Sequence, residues 1–163
     1  MSAQKYTIVR SSFPSDLQRH SGPTPVLLAS SRRDDLERIP ELLPPAEWML
    51  IKVGSWDHVL QLAGEVILPI VLCDREIPGL EWPHGLAHLR RSFRPPALIL
   101  LSDLEAGPFW QDVIRYGGFD MLFRPFCGER LITALDFART HWDLRLDLGA
   151  KNEFRARSEQ YRR

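Results

Sequence analysis

The sequence predicts an α/β fold: one doubly wound, five-stranded parallel sheet with helices on both faces. Three observations carry that prediction. Short apolar runs alternate five times with helical apolar spacings. The run from Ile67 to Cys73 is apolar throughout, as expected of a strand covered on both faces. The connections are short, which favours right-handed crossovers between neighbouring parallel strands.

Taken in order, residues 1–24 read as a leader rich in Ser, Pro, Gln and Arg, punctuated by Ser21-Gly22-Pro23. Tyr6-Thr7-Ile8-Val9 offers an edge strand that the rest of the pattern does not require. Val26-Leu27-Leu28-Ala29 is the first buried strand. Asp34 and Asp35 open a helix with Leu36, Ile39, Leu42 and Leu43 on one face, and Pro44-Pro45 stops it. Trp48 to Val53 is the second strand. Ser55 is a fair N-cap for a helix carrying Val59, Leu62 and Ala63. The third strand ends at Asp74. A helix from about Pro83 carries Leu86, Leu89 and Phe93 and closes at Pro95-Pro96. Ala97 to Leu101 is strand four. A fourth helix holds Trp110, Val113 and Ile114 and ends at Gly117-Gly118. Met121-Leu122-Phe123 is strand five, and a last helix spaces Leu131, Leu135, Ala138 and Trp142 for burial. The folded unit therefore spans residues 25–143. Residues 144–163 are charged and read as an extension of the last helix or a tail.

Composition narrows the function. Twenty-one Lys and Arg balance 21 Asp and Glu over 163 residues, which argues against nucleic acid or an anionic membrane as the main partner. Cys73 and Cys127 have no metal-ligand spacing and read as free thiols of a reducing, cytoplasmic setting. The longest apolar run is interrupted by Pro69 and is far too short for a membrane span. His20, His58, His84, His88 and His141 form no ligand cluster; His84 and His88, four apart on a helix, read as surface residues. In a sheet of this kind, function sits beyond the carboxyl ends of the strands at a switch in strand order. The side chains expected there are Ser30, Ser31, Asp74, Ser102 and Arg124.

Two segments bring a family into view. Asp74-Arg75-Glu76-Ile77-Pro78-Gly79-Leu80-Glu81 resembles the phospho-acceptor loop of response-regulator receiver domains, and Gly118 to Phe126 resembles their fifth-strand segment, where Lys-Pro-Phe is usual. The resemblance covers about Pro25 to Trp142. It implies the flavodoxin-like strand order 2-1-3-4-5, with Asp74 at the phospho-acceptor position. It also implies Arg124 in place of the usual Lys, and Ser102 as the switch hydroxyl that meets a phosphoryl oxygen.

The sequence departs from that pattern at the metal seat, where Ser30 and Ser31 replace the acidic pair. Hydroxyls are poor substitutes for anionic oxygens around Mg²⁺. No cofactor is expected, and Mg²⁺ only if the pocket is still active. Asp34 and Asp35 are expected to face solvent, about a helical turn further on, while Glu76 is close enough in sequence to reach the pocket. Met121 stands at the aromatic switch position, and Trp82 replaces a Gly near the pocket. The implied function is a receiver-like, non-enzymatic module in two-component phosphorelay signalling, working through protein contacts. A phosphorylation-independent pseudo-receiver is the alternative, with a small-ligand-binding flavodoxin-like protein behind it. The implied partners are a sensor histidine kinase or a downstream signalling protein. A homodimer is expected through helix four, strand five and helix five, where Phe109, Trp110, Tyr116, Phe119 and Phe137 cannot all point inward.

Overall fold

The computed structural model describes residues 22–92, 94–103 and 109–160, and the side chains of these except 109–110 and 150–160. The expectations for residues 1–21, Phe93, and the side chains of Phe109 and Trp110 fall outside the described residues.

The elements run β1 Thr24–Ala29, α1 Arg33–Leu42, β2 Trp48–Val53, α2 Trp56–Glu65, β3 Ile70–Asp74, α3 His84–Arg90, β4 Ala97–Ser102, α4 Phe109–Arg115, β5 Asp120–Phe123 and α5 Gly128–Gln160. The strands form one sheet in the order β2-β1-β3-β4-β5, and every neighbouring pair is parallel. The fold class and strand order agree with the sequence reading.

Period-two alternation along each strand feeds two cores. Leu27, Ala29, Val71, Cys73, Leu98, Leu100 and Met121 pack beneath α2, α3 and α4. Val26, Leu28, Ile70, Leu72, Ile99, Leu101 and Leu122 face α1 and α5. On α5 the expected quartet Leu131, Leu135, Ala138 and Trp142 is buried. The four-residue step from Ala138 places Trp142 on the same inward stripe.

Several boundaries move for identifiable reasons. The first strand begins at Thr24, whose N–H donates to the Glu47 carbonyl (2.8 Å). The third begins only at Ile70, after Pro69, which has no N–H for the ladder; its carbonyl instead accepts from the Ala97 N–H (2.8 Å). Ile67, left ahead of that strand, is exposed. Helix α1 carries Pro40 inside it, which cannot donate to the Leu36 carbonyl one turn back. That carbonyl accepts from Lys52 Nζ of β2 instead (2.9 Å), so the lost helix bond has a replacement. Ser55 caps α2 as read, accepting from the His58 N–H (3.4 Å).

Close packing sets one glycine. A Cβ on Gly85 would sit 2.4 Å from a Leu80 methyl and 3.1 Å from Trp56 Nε1, so a side chain there would have to displace Leu80 and crowd the Trp56 ring at the start of α2. Among the described residues no helix is long and apolar enough to cross a membrane.

Candidate functional site

The carboxyl ends of β1, β3 and β5 converge on one buried polar pocket, with the end of β4 beside it. Ser30 follows β1, Asp74 ends β3, Ser102 ends β4, and Arg124 follows β5; Ser30, Asp74 and Ser102 are all buried. The ladder holds them by continuing past the strand ends. The Ser30 N–H donates to the Val53 carbonyl (3.1 Å), and Arg124 N–H donates to the Ser102 carbonyl (2.9 Å). Asp74 is fixed from both sides: Arg75 N–H donates to the Leu101 carbonyl (3.0 Å), and Ile77 N–H donates to the Asp74 carbonyl (3.1 Å). The loop then turns through Gly79 at φ +88°, a conformation natural to glycine. Its Pro78 carbonyl accepts from Trp56 N–H (2.9 Å), tying the loop to the start of α2.

Strand parity explains which helix completes the pocket. Ser30, Asp74 and Arg124 follow Leu28, Leu72 and Leu122 by two, so they continue the face covered by α1 and α5. Helix α1 presents Asp35 to them. Its carboxylate is 2% exposed, not turned to solvent as the sequence reading expected; Asp34 is the exposed member of the pair. The reason is that Asp35 stands four residues before the fully buried Ile39, on the same inward face.

Arg124 joins the two carboxylates. Its Nε and Nη2 donate to the two oxygens of Asp35 at 2.8 and 2.5 Å, a fork-to-fork pair. The same Nη2 donates to Asp74 Oδ1 at 3.1 Å. Ser30 Oγ donates to Asp35 Oδ2 (2.7 Å) and accepts from the Arg32 N–H (3.1 Å). At the mouth, Asp103 pairs with Arg32 and lies 3.6 Å from Arg124 Nη1. The Arg124 guanidinium also lies over the Phe126 ring at 5.6 Å.

The remaining sequence candidates spread away from this centre. Ser31 is exposed, and Glu76 is exposed in the turn after Asp74. Trp82 packs against the α2–α4 core and meets Tyr116 edge to face (6.2 Å). Met121 is buried within the same core.

The electrostatics follow from this crowding. Burial pushes the Asp35 carboxyl up, but the bonds from Arg124 and Ser30 and the charges of Arg124 and Arg32 outweigh it and hold it below the usual aspartate value. Burial lowers Arg124 in turn, yet its bond to Asp35 and the charges of Asp35 and Asp74 hold it above the ordinary arginine value. Burial, and then the neighbouring Asp74 charge, push the Cys73 thiol up, so it stays protonated and inert. A depressed carboxyl adds stability that is complete above its unfolded value, about 3.9, and is lost as pH falls through the folded value. Melting temperature should therefore fall as pH drops below about 4, and the fall should be shallower in Asp35→Asn. Equal acid sensitivity in the two proteins would mean that Asp35 is not held in this pair.

The pocket is a poor fit for a divalent metal. Both oxygens of Asp35 and Asp74 Oδ1 are engaged by one guanidinium, Ser30 spends its proton on Asp35, and Ser31 is turned out. Hard cations need free anionic oxygens. Among the described residues no group of three or more His, Cys, Asp or Glu could hold an ion.

Solved structures match the fold over nearly their whole length. The signal receiver domain of an HD domain-containing protein from Pseudomonas fluorescens superposes with a TM-score of 0.71 at 22% identity, covering 81% of this chain and 98% of that one. The chain has the receiver-domain fold. The receiver domain of the sensor histidine kinase PA1611 from Pseudomonas aeruginosa, with a magnesium ion coordinated in its active-site cleft, gives a TM-score of 0.64 at 17% identity, covering 73% of this chain and 99% of that one. In sequence, the chain is 31% identical over 87 residues to the transcriptional regulatory protein MalR of Bacillus subtilis. That stretch is 53% of this chain and spans only 37% of MalR. No family model matches the chain. In this chain Asp35, Asp74 and Arg124 meet at the carboxyl edge of that sheet.

Proposed function

We propose that this receiver-like chain is a signalling module of a two-component pathway that works through protein contacts without being phosphorylated. One observation carries the reading: the Arg124 guanidinium bridges Asp74 and Asp35. In the phosphorylated receivers it resembles, a carboxylate attacks phosphorus while a metal and a cation offset the charge on the phosphoryl oxygens. Here Arg124 itself serves as the cation for both carboxylates. Asp74 is paired, the Arg124 fork is filled by Asp35, and the pocket works without a divalent ion or any other cofactor. The module is non-enzymatic on this reading. Its conformation is set by a partner, a sensor kinase or a downstream signalling protein. The exposed Phe137 and Tyr116 favour contact through α4, β5 and α5, either with such a partner or with a second copy.

Incubation with acetyl phosphate and Mg²⁺, and separately with beryllofluoride and Mg²⁺, tests this by intact mass and amide NMR. The expected result is no added phosphoryl mass and no shift at Asp74, Ser102 or Arg124. A phosphoryl adduct lost in Asp74→Asn would restore the phosphorylated-receiver reading.

A further inference from the structure

We propose that the cleft between α2 and α3 is a docking surface for an acidic, partly apolar segment of a partner protein. The cleft has a volume of about 540 Å³. Leu60, Ala63 and Leu89 give it an apolar floor, while His84, His88 and Arg91 stand along its rim. His84 and His88 are one turn apart on α3, and Arg91 follows them at the helix end; all three are exposed. No carboxylate occurs from Trp82 to Ser102, and Glu81, exposed just ahead of α3, does not line the cleft. Of the acids on α2, Asp57 lies at its start, and Glu65 accepts a hydrogen bond from Gln61 (3.1 Å); neither lines the cleft.

The fixed charge of Arg91, with the His84 and His88 imidazoles beside it and no carboxylate in the lining, favours an acidic occupant, and the apolar floor adds area that a purely charged ligand would leave unused. The exposed rim makes the cleft a surface channel, shaped for a chain segment rather than for an enclosed small molecule. On α2, Gly64 opens the channel further: a Cβ there would meet nothing within 4 Å. The cleft lies on the α2–α3 side, whereas the polar pocket faces α1, so the two share no lining residue.

The full-length chain can be titrated, with fluorescence anisotropy as the readout, against a short labelled Glu–Leu peptide and its Lys–Leu counterpart. The Glu–Leu peptide should bind at least about tenfold more tightly, and its binding should weaken as salt screens the rim. The charge-reversed pair His88→Glu/Arg91→Glu should abolish that preference. Gly64→Leu should reduce binding of the acidic peptide about tenfold by filling the channel. Leucine is also the better helix former, so this variant should melt no lower than the parent. Equal affinity for the two peptides, an acidic preference surviving in His88→Glu/Arg91→Glu, or undiminished binding by Gly64→Leu would overturn the proposal. Neither variant touches Asp35, Asp74 or Arg124, so the pocket reading stands or falls separately.

Discussion

Replacing Arg124 with Gln should destabilise the fold by about 3–5 kcal/mol, the usual cost of stripping one partner from a buried ion pair. The magnitude follows from what remains. Asp35 and Asp74 are buried and share that one guanidinium, so its loss leaves two carboxylates facing each other with little solvent. A glutamine amide can donate to one of them but carries no charge. Arg124→Lys should fall between, because the ammonium restores charge but not the planar fork that meets both oxygens of Asp35. Asp35→Asn combined with Arg124→Gln should be less damaging than the sum of the two, with a coupling of at least about 1 kcal/mol. Urea melts of the four proteins measure it. Strict additivity, or a loss under about 1 kcal/mol for Arg124→Gln, would show that the bridge carries little of the pocket's balance. Divalent cations should raise the melting temperature of Arg124→Gln, whose carboxylates lack a counterion, and leave the parent unchanged.

That expectation rests on a residue the sequence did not reveal as part of the site. The strands were legible because their apolar runs are short and bounded by turn residues. Asp74 and Arg124 were legible because they end such runs beside recognisable loops. Asp35 was hidden by a sufficient local explanation. Two acids at the start of a helix suit its dipole, so nothing pressed a distinction between Asp34 and Asp35. The distinguishing signal was the four-residue step from Asp35 to Ile39, which fixes Asp35 on the buried face. The spacing of Ile39 and Leu42 carried α1 past Pro40, but what makes the proline tolerable there was illegible. It depends on Lys52 of β2 reaching the Leu36 carbonyl, a contact between elements that no local pattern encodes. Strand order came from the family resemblance, since apolar runs of similar length do not rank themselves in a sheet.

Ser30 and Ser31 should respond to acidic substitution in opposite ways, although both stand where the receiver resemblance puts the metal-binding acids. Ser31 is exposed, so Ser31→Asp should change stability by no more than about 0.5 kcal/mol. Ser30 is buried, and its hydroxyl donates to Asp35 at 2.7 Å. An aspartate there removes the donor and sets a third carboxylate against Asp35 and Asp74, with Arg124 as their shared buried cation. In chelator, Ser30→Asp should cost about 3 kcal/mol or more, combining a lost bond to a charged group with an unpaired buried charge. Ser30→Ala isolates the first effect and should cost about 1–3 kcal/mol. Three anionic oxygens in one cavity are also what a hard divalent cation requires. Millimolar Mg²⁺ should therefore restore much of the stability of Ser30→Asp while leaving the parent, Ser30→Ala and Ser31→Asp unmoved. Combining Ser31→Asp with Ser30→Asp should add little to that response. Thermal melts with and without Mg²⁺ decide the matter: a parent protein that already gains stability from Mg²⁺, or a Ser30→Asp variant as stable as the parent in chelator, would mean that the Asp35–Arg124–Asp74 bridge is not what fills the metal's place.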